Sequence, residues 1–248
     1  MTYIPTFGSY ALPVTLYPIQ EPGEAGISVA KLARTTGARA STRLLTEKVI
    51  RLEGGLVESA GASLRTQIDA LKAGLQGEQS LSFEADRLWR KAQMRDFEVN
   101  YEGTGYARFA RVRLSFVTPD PYQYAASDTT NSRTITASGQ TLNTTNAGNA
   151  PAAPVLSLTV GGSGAVTLSC TVLNNTTGES FTLNGSVTGG EVILIDTLEQ
   201  SITISGVDKT ALFDGLFPSL EVGSNTFQVN YTAGTISNLS LSHKARWY

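Results

Sequence analysis

Apolar residues recur at every second position through most of this chain and with helical spacing in one stretch. Ala110, Val112, Leu114 and Phe116 alternate with Phe109, Arg111, Arg113 and Ser115, the signature of a strand with one buried face. Leu64, Ile68, Leu71 and Leu75 are spaced by four, three and four, which sets them on one face of a helix. Ser63 suits its N-cap and Gly77 its stop. Around that helix the pattern predicts strands over Leu44–Leu52, closed by Gly54-Gly55, and over Leu81–Trp89. A hairpin of Phe97–Tyr101 and Tyr106–Val117 turns at Glu102-Gly103-Thr104-Gly105. Phe7–Ile19 shows weak periodicity, and Glu21–Arg43 reads as a long, partly mobile assembly arm rather than a packed element. The first half is therefore expected to be an α+β domain, with strands and one amphipathic helix.

The second half changes character. Strands are predicted over Val155–Val160, Ala165–Leu173, Ser180–Leu183, Glu191–Asp196, Ser201–Ser205, Asn225–Tyr231 and Ile236–Trp247, with a short pairing segment at Thr134–Thr136. Gly161-Gly162-Ser163-Gly164, Asn174-Asn175, Asn184-Gly185, Gly189-Gly190, Gly206 and Ala233-Gly234 supply the turns. Seven or so strands without a helix imply an all-β antiparallel sandwich of jelly-roll, galectin-like type.

Between the halves lies Leu-Ser-Phe-Val-Thr-Pro-Asp-Pro-Tyr-Gln-Tyr, Leu114 to Tyr124. Proline donates no ladder hydrogen bond and pushes the preceding residue toward extended geometry, so Pro119, Asp120, Pro121 and Tyr122 are expected to form a stiff interdomain hinge. Composition supports a boundary here. Positions 1–125 hold 15 Lys and Arg against 13 Asp and Glu, whereas 126–248 hold 4 against 8. The domains expected are 1–128, a linker over 129–148 that is rich in Thr, Ser, Asn and Gly, and 149–248. A length of 248 residues suits two ordinary cores.

A net charge of −2 lacks the basic excess that dedicated nucleic-acid binding requires. Cys170, the single cysteine, sits in the alternating run Val166, Leu168, Cys170, Val172 and reads as a small buried hydrophobe. Neither a signal-like N-terminus nor an 18-residue apolar run occurs, so neither signal-directed secretion nor membrane insertion is expected.

Candidate chemistry is sparse. His243 is the single histidine, close to Lys244 and Arg246, and reads as a solvated strand-end residue rather than a catalytic base. Asp208 and Asp214 match no calcium loop, and Asp208 reads as part of an exposed turn after Gly206. Asp196, after the apolar run Val192–Ile195, is the carboxylate best placed for glycoside hydrolysis, yet an acid ending a strand more often accepts turn hydrogen bonds. Gly161–Gly164 lacks a following helix for phosphate binding. Arg87, Trp89, Arg90, Lys91 and Arg95 are interleaved with Asp86 and Asp96, which suits a charge-mixed subunit contact better than a single-strand platform. No enzyme, cofactor or metal is expected.

The run Phe-x-x-Pro-Asp-Pro-Tyr at midchain resembles the junction in the distal tail proteins of long-tailed, non-contractile bacteriophages. The order of further short motifs supports it: Phe7-Gly8, Ile50-Arg51-Leu52-Glu53-Gly54, Leu75-Gln76-Gly77, Ile195-Asp196-Thr197 and Leu220-Glu221-Val222-Gly223-Ser224-Asn225. Glu221-Val222-Gly223 departs from the family's usual Pro-Gly, which is expected to loosen that turn. The resemblance implies a structural virion protein at the distal end of the tail, made in the host cytoplasm. It would be a homo-hexamer whose first domain forms the ring of a tail hub. That ring would join the tail tube protein to the tail-tip protein, with DNA only in transit through its lumen. The alternative is a carbohydrate-binding sandwich that adsorbs to host-surface sugars; a weaker third is a glycosidase using Asp196.

Overall fold

The computed structural model describes residues 4–19, 29–31, 38–40, 47–58, 61–102 and 108–248. The chain divides into two compact units, Met1–Gln123 and Tyr124–Tyr248, each with its own hydrophobic core. The first is α+β and the second an all-β antiparallel sandwich, as the residue pattern predicts.

In the first unit the sheet is antiparallel, and seven of its strands follow one path. Its order is Tyr10–Ala11, Thr6–Phe7, Glu78–Ser82, Arg87–Glu102, Phe109–Thr118, Lys48–Val57 and Tyr17–Ile19. The helix Gly61–Gly74 supplies Leu64, Ile68 and Leu71, and Leu75 follows in the adjoining turn; all four are at most 1% exposed. They share a core with Leu52, Leu56, Ala110, Val112, Leu114, Phe116, Trp89 and Phe7. Alternation within the strands is what aims these residues to one side. The helix begins at Gly61, so Ser63 lies inside it rather than at its N-cap, and it ends at Gly74, three residues before the expected stop at Gly77.

Two further boundaries differ from expectation. The strand predicted to close at Gly54-Gly55 runs from Lys48 through both glycines to Val57. A side chain on Gly54 would strike the Thr15 carbonyl and the Leu16 Cα, and one on Gly55 the Phe109 ring, so these glycines permit close approach within a strand instead of ending it. The strand expected over Leu81–Trp89 is two strands, Glu78–Ser82 and Arg87–Glu102. The buried Ser82 hydroxyl pins the bend between them, its one proton shared between the Glu84 carbonyl at 2.6 Å and the Arg87 carbonyl at 2.7 Å. Most of the arm read over Glu21–Arg43 lies outside the described residues; within it Val29–Lys31 pairs with Ala38–Ala40.

The sandwich has two sheets. One is ordered Thr129–Thr134, Ile236–His243, Val155–Val160, Val192–Asp196, Ser201–Ile204 and Val207–Asp208. The other is ordered Gln140–Asn146, Gly223–Ala233, Ala165–Asn174, Ser180–Thr188 and Phe213–Gly215. Leu156, Leu158, Ile193, Ile195, Leu239 and Leu241 from the first meet Leu168, Cys170, Val172, Phe181, Phe227 and Val229 from the second in a continuous core. The segment 129–148, read as a linker, contributes an edge strand to each sheet. Its polar residues alternate with only two core aliphatics, Ile135 and Leu142, too few for hydrophobic periodicity to reveal.

Candidate assembly surface and the fate of the candidate residues

The sheet of the first unit has one face under the helix and one face of charge. On the outer face, Glu98 and Glu102 stand on one strand, Arg111 and Arg113 on the next, and Glu53 on the third, because Glu98 pairs in register with Arg113 and Arg113 with Glu53. Arg113 reaches Glu53 at 3.4 Å and Glu98 at 4.0 Å; Arg111 reaches Glu102 at 3.7 Å and Glu53 at 3.9 Å. Ser115 donates to the Asp96 carboxylate at 2.6 Å one step along. The result is a grid in which each arginine touches two acids, so the face carries both signs at close range.

The same sheet has one strand that outruns its neighbour. Arg87–Glu102 is 16 residues long and pairs with Glu78–Ser82 through Trp89, Ala92 and Gln93, and with Phe109–Thr118 from Gln93 to Glu102. Glu78–Ser82 pairs with that strand no further than Gln93, so the stretch from Met94 to Glu102 runs on past this neighbour. That stretch alternates Glu98, Asn100 and Glu102 with Phe97, Val99 and Tyr101. Register shifts at Gln79/Leu81 and at Met94/Asp96 mark where the long strand bends out of its neighbours' path.

The other candidates fall into place individually. Pro119, Asp120, Pro121 and Tyr122 lie immediately before the boundary between the units, where the Tyr122 amide donates to the Asp120 carboxylate at 3.1 Å and closes an Asx turn. Asp196 is a turn acceptor: the amides of Leu198 and Glu199 donate to it at 2.9 and 3.0 Å. Asp208 accepts from the Thr210 hydroxyl at 2.6 Å and its amide at 2.9 Å, which hold its carboxyl below the usual value in an exposed turn. Burial pushes the Cys170 thiol up to about 12, so it is an inert core residue. Trp89 is 8% exposed, with the Lys48 ammonium 5.3 Å from its ring centre, which leaves no free platform for a base.

His243 departs from expectation. It is 2% exposed instead of solvated, because it occupies an inward position of the strand Ile236–His243 opposite Thr129. Burial holds its pKa below 6.5.

Several aromatic residues of the sandwich point inward, while Tyr248 is exposed. Phe181 and Phe227 are buried, and Phe213 stacks between Phe181 and Phe217 at 5.3 and 4.2 Å. An open groove of about 660 Å³ on the sandwich is lined by Gly189, Glu191, Val192, Leu194, Thr203 and Ser205, with Glu191 tied to the Thr188 amide at 2.8 Å. Among the described residues no group of three His, Cys, Asp or Glu could hold a metal, and no helix is long and apolar enough to cross a membrane.

Comparison with known proteins adds what this geometry lacks. Residues 147–247 match the family model of the siphovirus-type tail component, C-terminal domain. That match falls within the second unit. The whole chain shares its fold with the SPP1 Dit protein, described as a paradigm of hub adsorption apparatus in Gram-positive infecting phages. The two are 15% identical, with a TM-score of 0.76 over 99% of each chain. A chain in the phage P2 baseplate in its activated conformation with Ca matches with a TM-score of 0.43 at 10% identity, covering 92% of this chain and 90% of that one. No curated protein matches by sequence. The distal tail protein resemblance read from the Pro-Asp-Pro junction and its flanking motifs agrees with both matches.

Proposed function

We propose that this siphovirus-type tail component is the hub ring at the distal end of the tail, with six copies of the first unit closing into an annulus. The stretch from Met94 to Glu102, which runs past its neighbour Glu78–Ser82, is the observation that carries the reading. A closed ring needs heterologous contacts in which one surface of a subunit meets a different surface of the next, and a strand that runs past its neighbour supplies one such surface. In this reading the ring receives the tail tube on one side and the tail-tip protein on the other, and the stiff turn at Pro119–Tyr122 directs the chain from ring to sandwich.

The charge grid suits the same role. Both arginines are committed to carboxylates, so a face bearing them offers DNA in transit little net attraction. In this reading the role is structural, with Asp196 occupied by its turn and His243 enclosed. Inward-facing Phe181 and Phe227 weaken the carbohydrate alternative, since sugar recognition by aromatic platforms needs exposed rings.

Negative-stain imaging of the purified chain tests the proposal. Six-fold annuli are expected. Monomers alone across a wide concentration range, with no tube or tip protein able to recruit them, would overturn it.

A further inference from the structure

The segment His243–Tyr248 is held between two distant parts of the second unit. On one side it meets the residues that lead into the sandwich. The Ala125 amide donates to the Ala245 carbonyl at 2.9 Å, the Lys244 ammonium donates to the carbonyls of Ala125 and Ala126 at 3.3 and 3.0 Å, and the same ammonium lies 4.0 Å from Asp128. The Arg246 guanidinium covers the Tyr124 ring at 5.1 Å. On the other side the amides of Asn149 and Ala150 donate to the Arg246 carbonyl at 3.0 and 3.1 Å, and the Tyr248 amide donates to the Asn149 side chain at 2.9 Å. Gly148 packs so closely on the Arg246 backbone that no side chain would fit there.

Beneath this double attachment sits the one buried histidine. Neither ring nitrogen of His243 has a partner in good hydrogen-bond geometry, and burial outweighs the Thr145 main chain, which favours the protonated ring. The charged groups around it are few. Asp128 precedes the adjacent strand and favours the protonated ring, while Lys244 and Arg246 follow on its own segment. The neighbouring strands Thr129–Thr134 and Val155–Val160 and the strand Gln140–Asn146 contribute one ionisable side chain, Arg133, which pairs in register with Leu239 and not with His243. An imidazolium enclosed here would compete with Lys244 for Asp128 or be driven out to water.

We propose that His243–Tyr248 is a latch on the entry to the sandwich, and that protonation of His243 releases it. The sign follows from linkage. With the latch closed the ring is kept neutral below pH 6.5, and once open it is hydrated and takes up a proton at its ordinary value. Between those two values the open form binds more protons, so the open fraction rises by about tenfold for each unit of falling pH. Below the closed-state value it levels off.

The single histidine makes the test direct. The imidazole proton resonance of the full chain is titrated while amide exchange is followed, after correction for intrinsic rates, at Ala125, Asn149, Ala150 and Tyr248, with Leu158 and Val172 as core references. The proposal expects titration below pH 6.5, with protection at the four latch amides falling about tenfold per pH unit in that window while the core amides hold. In His243→Phe, which cannot titrate, latch protection should stay flat with pH. Titration of wild-type His243 at its ordinary value with unchanged latch protection overturns the proposal. So does an equal loss of protection in His243→Phe; should that variant fail to fold, the wild-type titration decides alone.

Discussion

The two units solve the same problem with different materials. The first packs one helix on one sheet and leaves the opposite sheet face to ion pairs among Glu53, Glu98, Glu102, Arg111 and Arg113. The second packs two sheets on each other and orders its strand ends with buried amides. Asn174 donates to the Ser219 carbonyl at 2.7 Å and accepts the Thr176 amide at 3.0 Å; Asn225 donates to the carbonyls of Glu221 and Gly223 and accepts the Glu221 amide. Those side chains are completely buried, whereas both arginines of the grid are about half exposed. Buried polar groups specify a fold because leaving one unpaired costs about 1–3 kcal/mol, while exposed ion pairs contribute roughly 0–1 kcal/mol. The sandwich is thus finished by its own interior. The first unit instead keeps a half-exposed sheet face of paired charges.

The contrast can be broken most forcefully at the cores. Phe116→Ala should destabilise the first unit by about 3–5 kcal/mol and leave the sandwich transition in place, and Phe227→Ala should do the reverse. Calorimetry that shows both transitions moving together in either variant would deny that the cores are separate. Gly54→Ala comes next. Its methyl group meets the Thr15 and Leu16 backbone, which cannot move away cheaply, so a loss of about 1–3 kcal/mol confined to the first unit is expected in chemical denaturation.

Asn225→Ala should cost the sandwich about 1–3 kcal/mol by orphaning the Glu221 turn, measured as a lowered urea midpoint at constant slope. The acid response of the sandwich has a second source besides His243. Burial raises the Glu179 pKa, but hydrogen bonds from the Ser219 amide and hydroxyl and from Thr177 outweigh it and hold the carboxyl below its ordinary 4.5. A depressed folded pKa means stability present above 4.5 and lost as pH falls through the folded value. Glu179→Gln should flatten that part of the sandwich's pH-stability curve and leave the first unit's curve unchanged. The smallest effect belongs to the grid: Glu53→Gln should alter stability by less than about 1 kcal/mol, and the difference should shrink in high salt.

What could be read from residues alone follows the same division. Regular alternation made the strands Val155–Val160 and Ala165–Asn174 legible to within a residue, and the four, three, four spacing marked the helix face, because burial on one side of an element leaves a period in the sequence. The strands Thr129–Thr134 and Gln140–Asn146 were illegible as such. Their inward positions hold Thr144 and Asn146 beside a lone Leu142, and hydroxyl and amide groups satisfied by hydrogen bonds look the same in sequence as solvated ones. His243 was misjudged for that reason too: the charges beside it suggested solvent, but in a strand the adjacent residue faces the other way. Gly54-Gly55 read as a terminator because glycine marks both turns and close contacts, and only the position of Thr15, far along the chain, distinguishes them. The overhang from Met94 to Glu102 has no sequence signal, since it depends on where the pairing with Glu78–Ser82 ends.

The central claim, that the first unit assembles and the second does not, is tested most directly by the native mass of residues 1–123 and 124–248 prepared separately. Hexamers of the first fragment and monomers of the second are the predicted result. A monomeric first fragment beside a self-associating sandwich would contradict the account.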